Sequence, residues 1–106
     1  MKFTPEEFLA RLPLPADEKW REGVRFTNVF SKGDFELEFF APRGKDYQNP
    51  HEKDEIYVIA RGNGEFVKED ERMTFTAGDV LFVEAGVEHH FENFSDDFAT
   101  WVIFFK

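Results

Sequence analysis

From Val24 onward the sequence is cut into short apolar runs, each closed by a turn, and no other feature constrains the fold as strongly. Phe35, Leu37 and Phe39 alternate with Asp34, Glu36 and Glu38, the period-two pattern of a half-buried strand. Ile56-Tyr57-Val58-Ile59, Val80-Leu81-Phe82-Val83 and Thr100-Trp101-Val102-Ile103-Phe104-Phe105 are rich in β-branched and aromatic residues. Turn residues separate the runs: Lys32-Gly33-Asp34, Pro42-Arg43-Gly44, Arg61-Gly62-Asn63-Gly64, Ala77-Gly78-Asp79 and Ala85-Gly86. Short strands at such spacing predict an all-β sandwich or barrel. Runs apolar on both faces, such as Leu81-Phe82-Val83, predict strands covered on two sides.

The first twenty residues read differently, as a short helix and an arm. Thr4 suits an N-cap, Pro5 the first helical position, and Glu7 stands where a capping box needs it. Phe8, Leu9 and Leu12 form the apolar stripe, and Leu12-Pro13-Leu14-Pro15 ends the helix. With 106 residues and no linker or repeat, residues 1–106 form a single domain. Fifteen of the chain's residues are Phe, which has no polar tip and must be buried in a core, a pocket or an interface. A net charge of -9 argues against nucleic acid and against anionic membranes as partners. The chain has no Cys, so thiolate sites and disulfides are impossible. The N-terminus has no apolar signal region, and no apolar run approaches a membrane span, so a cytoplasmic location is expected.

Three histidines, His51, His89 and His90, stand beside turns that end strands. His51 and Glu55 flank Glu52-Lys53-Asp54. Residues four apart in a straight strand would be roughly 13 Å apart, whereas donors to one ion lie about 2 Å from it. Both can bind one ion only if the chain bends between them, with Glu55 opening the next strand.

Residues 44–93 resemble the two motifs of the cupin superfamily. Asn49-Pro50-His51 stands at the family's His-x-His position, three residues separate His51 from Glu55, and six separate Glu55 from Gly62. In the second motif Gly78 is followed by five residues and then Glu84-Ala85-Gly86; His89 comes two residues later, and Asn93 three after that. The chain departs from the pattern at Asn49, which replaces a metal-binding His, at Glu84, which replaces a Pro, and at Gly44, one residue out of register. The resemblance implies a jelly-roll β-barrel with a short N-terminal helix. It implies one divalent metal ion (Fe, Zn, Mn or Ni) held by His51, Glu55 and His89, with Asn49 as a possible weak oxygen ligand. Strand alternation lets only one of His89 and His90 face inward, and the Asn93 spacing selects His89. Asn93 itself is expected to support the motif structurally.

Each residue also has a plainer reading: His51 as a surface turn, Glu55 as a solvated strand-edge charge, and Asp96-Asp97 as an exposed turn. Tyr57, Phe82, Phe91 and Trp101 are candidates to line a pocket, although core packing accounts for most of them. Tyr57 shares strand parity with Glu55 and is the nearest candidate for a catalytic proton acceptor outside the ligands. The implied function is binding or conversion of a small molecule in the barrel, with metal-dependent dioxygenation ahead of isomerisation. The alternative is a noncatalytic module that binds a sugar or an organic acid. Sheet edges that need cover, and the surplus of Phe, lead to the expectation of a homodimer.

Overall fold

The computed structural model describes residues 1–106. The chain forms eight strands: β1 (Phe26–Lys32), β2 (Phe35–Phe40), β3 (Asp54–Arg61), β4 (Asn63–Lys68), β5 (Glu71–Thr76), β6 (Val80–Val83), β7 (His89–Glu92) and β8 (Ala99–Phe105), of which β2, β3, β6 and β8 follow the four apolar runs. All pairings are antiparallel. One sheet has the order β1-β2-β8-β3-β6 and the other β5-β4-β7. Together they form the jelly-roll barrel expected from the sequence, with one short helix, α1 (Pro5–Leu9), at the N-terminus. Gly62 lets the chain leave β3 for the second sheet. Its φ is 84°, and a Cβ there would lie 2.4 Å from Ser95 Oγ and 2.8 Å from Phe98 Cα.

The principal core fills the space between the sheets. Phe66, Phe75, Phe91 and Phe98 meet Tyr57, Val83, Val102 and Phe104, and all are buried. The rings interlock mostly edge-to-face or tilted, as in the Tyr57–Phe91 pair at 5.0 Å. A second, smaller core lies on the outer side of the five-stranded sheet. There α1 lays Phe8 over Phe39 and Trp101, with Leu12 and Ala99 beside them. The capping box is formed: Glu7 N donates to Thr4 Oγ1 at 3.3 Å, and Thr4 N donates to Glu7 Oε1 at 3.1 Å. The helix is shorter than its apolar stripe, ending at Leu9, while Leu12 is buried from the turn that follows.

The half-buried reading of β2 holds, with its faces in an unexpected orientation, and the two-sided reading of β6 does not. The apolar face of β2, Phe35-Leu37-Phe39, lies on the outer side of the sheet. Glu38 pairs with core residue Val102, so the acidic face of β2 looks into the barrel. The alternation is real, but α1 supplies a second core that receives the apolar face. β6 is not covered on both sides. Leu81 and Val83 are buried, but Val80 and Phe82 are 62% and 47% exposed. β6 is the last strand of its sheet, and the helix packs at the other end of the outer face.

Candidate functional site

β3 places Glu55 and Tyr57 on the inner face of the sheet, and β7 brings His89 from the facing sheet. His51 reaches them because the chain bends at Glu52 and Lys53 before β3 begins at Asp54. Gly86 N donates to the His51 carbonyl at 2.8 Å, and Ala85 N to Asp54 Oδ1 at 2.8 Å. These bonds tie the His51 segment to the turn that leads into β7, so both motif regions arrive at one place.

There a single carboxylate meets two imidazoles. His51 Nε2 lies 3.3 Å from Glu55 Oε1, and His89 Nε2 lies 3.0 Å from Glu55 Oε2. The Tyr57 hydroxyl joins them, 2.8 Å from Glu55 Oε2, 2.9 Å from His89 Nε2 and 3.0 Å from Gln48 Oε1. Glu55 is fully buried, yet its Oε1 has no hydrogen-bond donor. His89 Nδ1 lies 2.8 Å from the Val87 carbonyl, which holds the Nδ1–H there and leaves Nε2 as the nitrogen free to bind in the neutral ring.

The electrostatics of the cluster divide. Burial pushes His51 below the ordinary imidazole range, against the opposing pull of Glu55. Burial also disfavours a proton on His89, but the hydrogen bonds to Glu55 and Val87, with the charges of Glu55 and Asp46, outweigh it and hold His89 above that range. Burial, then the Glu55 charge, pushes Tyr57 well above the usual phenol range. Tyr57 therefore keeps its proton and serves as a donor, not as the proton acceptor considered from its parity.

Sequence reasoning missed three polar residues here. Gln48, not its neighbour Asn49, reaches the Tyr57 hydroxyl; Asn49 is exposed and makes no side-chain hydrogen bond. Asp46 is buried and accepts from Gln48 N, Gln48 Nε2 and Phe91 N, at 2.9, 2.5 and 2.9 Å, which fastens this segment to β7. Glu38 lines a cavity of about 300 Å³ together with Trp20, Phe40, Phe104 and His51. Burial, reinforced by the charges of Glu36 and Glu55, raises its carboxyl to about 7. No spacing in the sequence marks these three. Residues 48–50 also wall a second cavity of about 370 Å³ on the His89 side.

The remaining candidates stand apart. His90 is half-exposed, its Nε2 2.6 Å from Glu92 Oε2. Asn93 adopts a φ of 49° and donates from Nδ2 to Glu65 at 2.5 Å. Asp96 and Asp97 form an exposed turn. Phe91 is core, Trp101 lies under α1, and Phe82 faces outward, so the cavity's aromatic wall comes from Trp20, Phe26, Phe40 and Phe104 instead.

The donor set suits a divalent ion: two imidazoles and one carboxylate, whose Oε1 is buried without a hydrogen-bond donor. As the side chains stand, these donors meet in pairs and do not close around a common point.

Comparison with known proteins agrees with this architecture. The Cupin domain family matches residues 36–105, and the chain belongs to that family. An uncharacterized protein of Streptomyces coelicolor is 36% identical over 59 residues, 56% of this chain and 56% of that protein. The match thus spans about half the length of that curated relative. Among solved structures, a Cupin 2 conserved barrel domain protein from Salinispora arenicola is 25% identical with a TM-score of 0.71, over 100% of this chain and 89% of that one. A cupin-2 domain containing protein from Shewanella frigidimarina shares the fold at 15% identity and a TM-score of 0.71, over 98% and 94% of the two chains. No helix is long and apolar enough to cross a membrane.

Proposed function

We propose that this cupin binds a small molecule in the cavity beside His51, with one divalent ion (Fe, Zn, Mn or Ni) held by His51, Glu55 and His89. The observation that carries the reading is Glu55: fully buried, touched by an imidazole on each oxygen, and lacking a donor on Oε1. Burying a carboxylate without that answer costs several kcal/mol, and a cation supplies it. When bound, such an ion would polarise or activate a chelating small molecule, the chemistry of an oxygenase or an isomerase.

The protein's own groups divide the remaining work. His51 faces the cavity and forms the boundary between ion and ligand. Tyr57 keeps its proton and orients Glu55. Glu38, with a carboxyl near 7, is the cavity group that can take or give a proton at neutral pH. Trp20, Phe40 and Phe104 exclude water and favour a ligand with a flat or apolar body. Elemental analysis of protein purified without a chelating tag, followed by zinc titration calorimetry, tests the reading. One equivalent of metal supports it; absence of metal and of any zinc heat sinks it.

One observation favours a noncatalytic binding module as the second reading. The Tyr57 hydroxyl already donates to Glu55 Oε2 without an ion, and its oxygen can accept from a protonated His89 Nε2. A metal-free protein that still binds a sugar or an organic acid would select this reading.

We also propose that two copies pair through the outer face of the five-stranded sheet. Leu37, Ile103, Ile56 and Phe82 form one apolar row across four strands, and Val58 and Val80 extend the next. Phe82 and Val80 are exposed on edge strand β6, beside its unpaired backbone groups. Light scattering should give twice the chain mass for the wild type and a single chain mass for Phe82→Glu. A wild-type monomer at all concentrations contradicts the pairing.

A further inference from the structure

Lys19, Arg21, Arg25, Arg43 and Lys45, five of the chain's thirteen basic residues, line one pocket of about 690 Å³ that shares Lys19 and Trp20 with the cavity beside His51. In a chain of net charge -9 this concentration is unexpected, because acids to pair with them are plentiful. The ion pairs show where acids are used: Lys53, Arg61, Lys68 and Arg72 each meet a glutamate. None of the five pocket cations has a carboxylate within 4.0 Å. Glu18 and Glu22 lie on the rim without pairing, and Asp96 and Asp97 act on Arg43 only through their field.

The two arginines at the base are held by backbone, not by acids. Arg25 Nε donates to the Ala41 carbonyl at 2.7 Å, and Arg43 Nη1 donates to the same oxygen at 3.2 Å. Arg43 Nη1 also reaches the carbonyls of Pro42 and Phe98, each at 2.9 Å. A shared acceptor places two guanidinium groups side by side, both half-buried, with the η nitrogens of Arg25 and Nη2 of Arg43 left without a protein acceptor. Burial, together with the neighbouring Arg43 charge, lowers the affinity of Arg25 for its proton. Two like charges fixed together with unused donors form the complement of an oxyanion, which guanidinium binds in a fork. Trp20 and Tyr47, 5.2 Å apart and edge-to-face, line the pocket beside these charges.

We infer that this pocket is a second binding site, separate from the metal cluster, which takes a small molecule bearing a carboxylate or phosphate group on Arg25, Arg43 and Lys45. It does not depend on metal at His51, Glu55 and His89. The test is isothermal titration of the full chain, first passed over a chelating resin, with inorganic phosphate and, separately, with succinate at fixed ionic strength. A saturable one-to-one heat is expected with at least one anion, and the one that binds more tightly identifies the group. Lys45→Glu alters an exposed side chain and should weaken binding about tenfold; Arg25→Gln should do the same or more. The inference is overturned if neither anion gives a saturable heat, or if both variants bind as the wild type does.

Discussion

Glu55 and the Arg25–Arg43 pair are both charges withdrawn from water, and they are answered in different ways. The chain surrounds Glu55 with His51, His89 and Tyr57 and leaves one oxygen over. The arginines receive only carbonyls, and their positive charges stand against each other. The first arrangement is pre-organised by two strands, β3 and β7, and the bend that carries His51. The second is a surface whose electrostatic complement must come from outside. Where charge is answered internally, substitution should cost stability; where it is not, substitution should cost binding.

The largest expected effect is at Glu55. Glu55→Ala removes the acceptor of His89 and Tyr57 and the charged neighbour of His51 in the interior, and should cost about 3 kcal/mol in urea denaturation. A loss below ~1 kcal/mol would mean the contacts of Glu55 with His89, Tyr57 and His51 do not stabilise the fold.

Glu38 comes next, as a cavity carboxylate with no ion-pair partner. Its folded-state carboxyl titrates at about 7 against an ordinary 4.5. Below the ordinary value it is neutral whether folded or unfolded, and its full contribution to stability is present. As pH rises from 4.5 through about 7 the unfolded chain ionises first, so that contribution is lost. Glu38→Gln should therefore raise stability at about pH 8 by roughly 1 kcal/mol, after discounting for the group's partial exposure, and leave it unchanged near pH 4. Melting curves at the two pH values check this; equal effects at both would remove the perturbed carboxyl from the account.

Arg25 should show the smallest effect on folding. Arg25→Met relieves repulsion from Arg43 and leaves the Ala41 carbonyl its bond from Arg43 Nη1. The expected change is under about 1 kcal/mol by the same urea assay. A loss as large as that of Glu55→Ala would erase the contrast between the two regions.

Much of the barrel was legible because it rests on local signals. Alternation, glycine turns and the Thr4–Glu7 box each act within a few residues, and the strands and the helix start follow them. The cluster of His51, Glu55 and His89 was legible through motif spacing, although the residues stand up to 38 positions apart. What failed was anything set by which side of a sheet a neighbour covers. Glu38 reads as solvated because Phe35, Leu37 and Phe39 alternate with it, and only the docking of α1 on the outer face turns it inward. Phe82 reads as buried because its run is apolar, and only its place on the edge strand exposes it. Gln48 carries no motif; the bonds of Asp46 to Gln48 and to Phe91 N fix it beside Tyr57. Such pairings depend on tertiary closure, which no window of sequence contains.

Metal content of three proteins, purified identically without a chelating tag, tests the central claim most directly: the wild type, His89→Ala and His90→Ala. His89 contacts Glu55 inside the barrel, whereas His90 is half-exposed and spends its Nε2 on Glu92. About one equivalent is expected in the wild type and in His90→Ala, and nearly none in His89→Ala. An empty His90→Ala beside a loaded His89→Ala would contradict it.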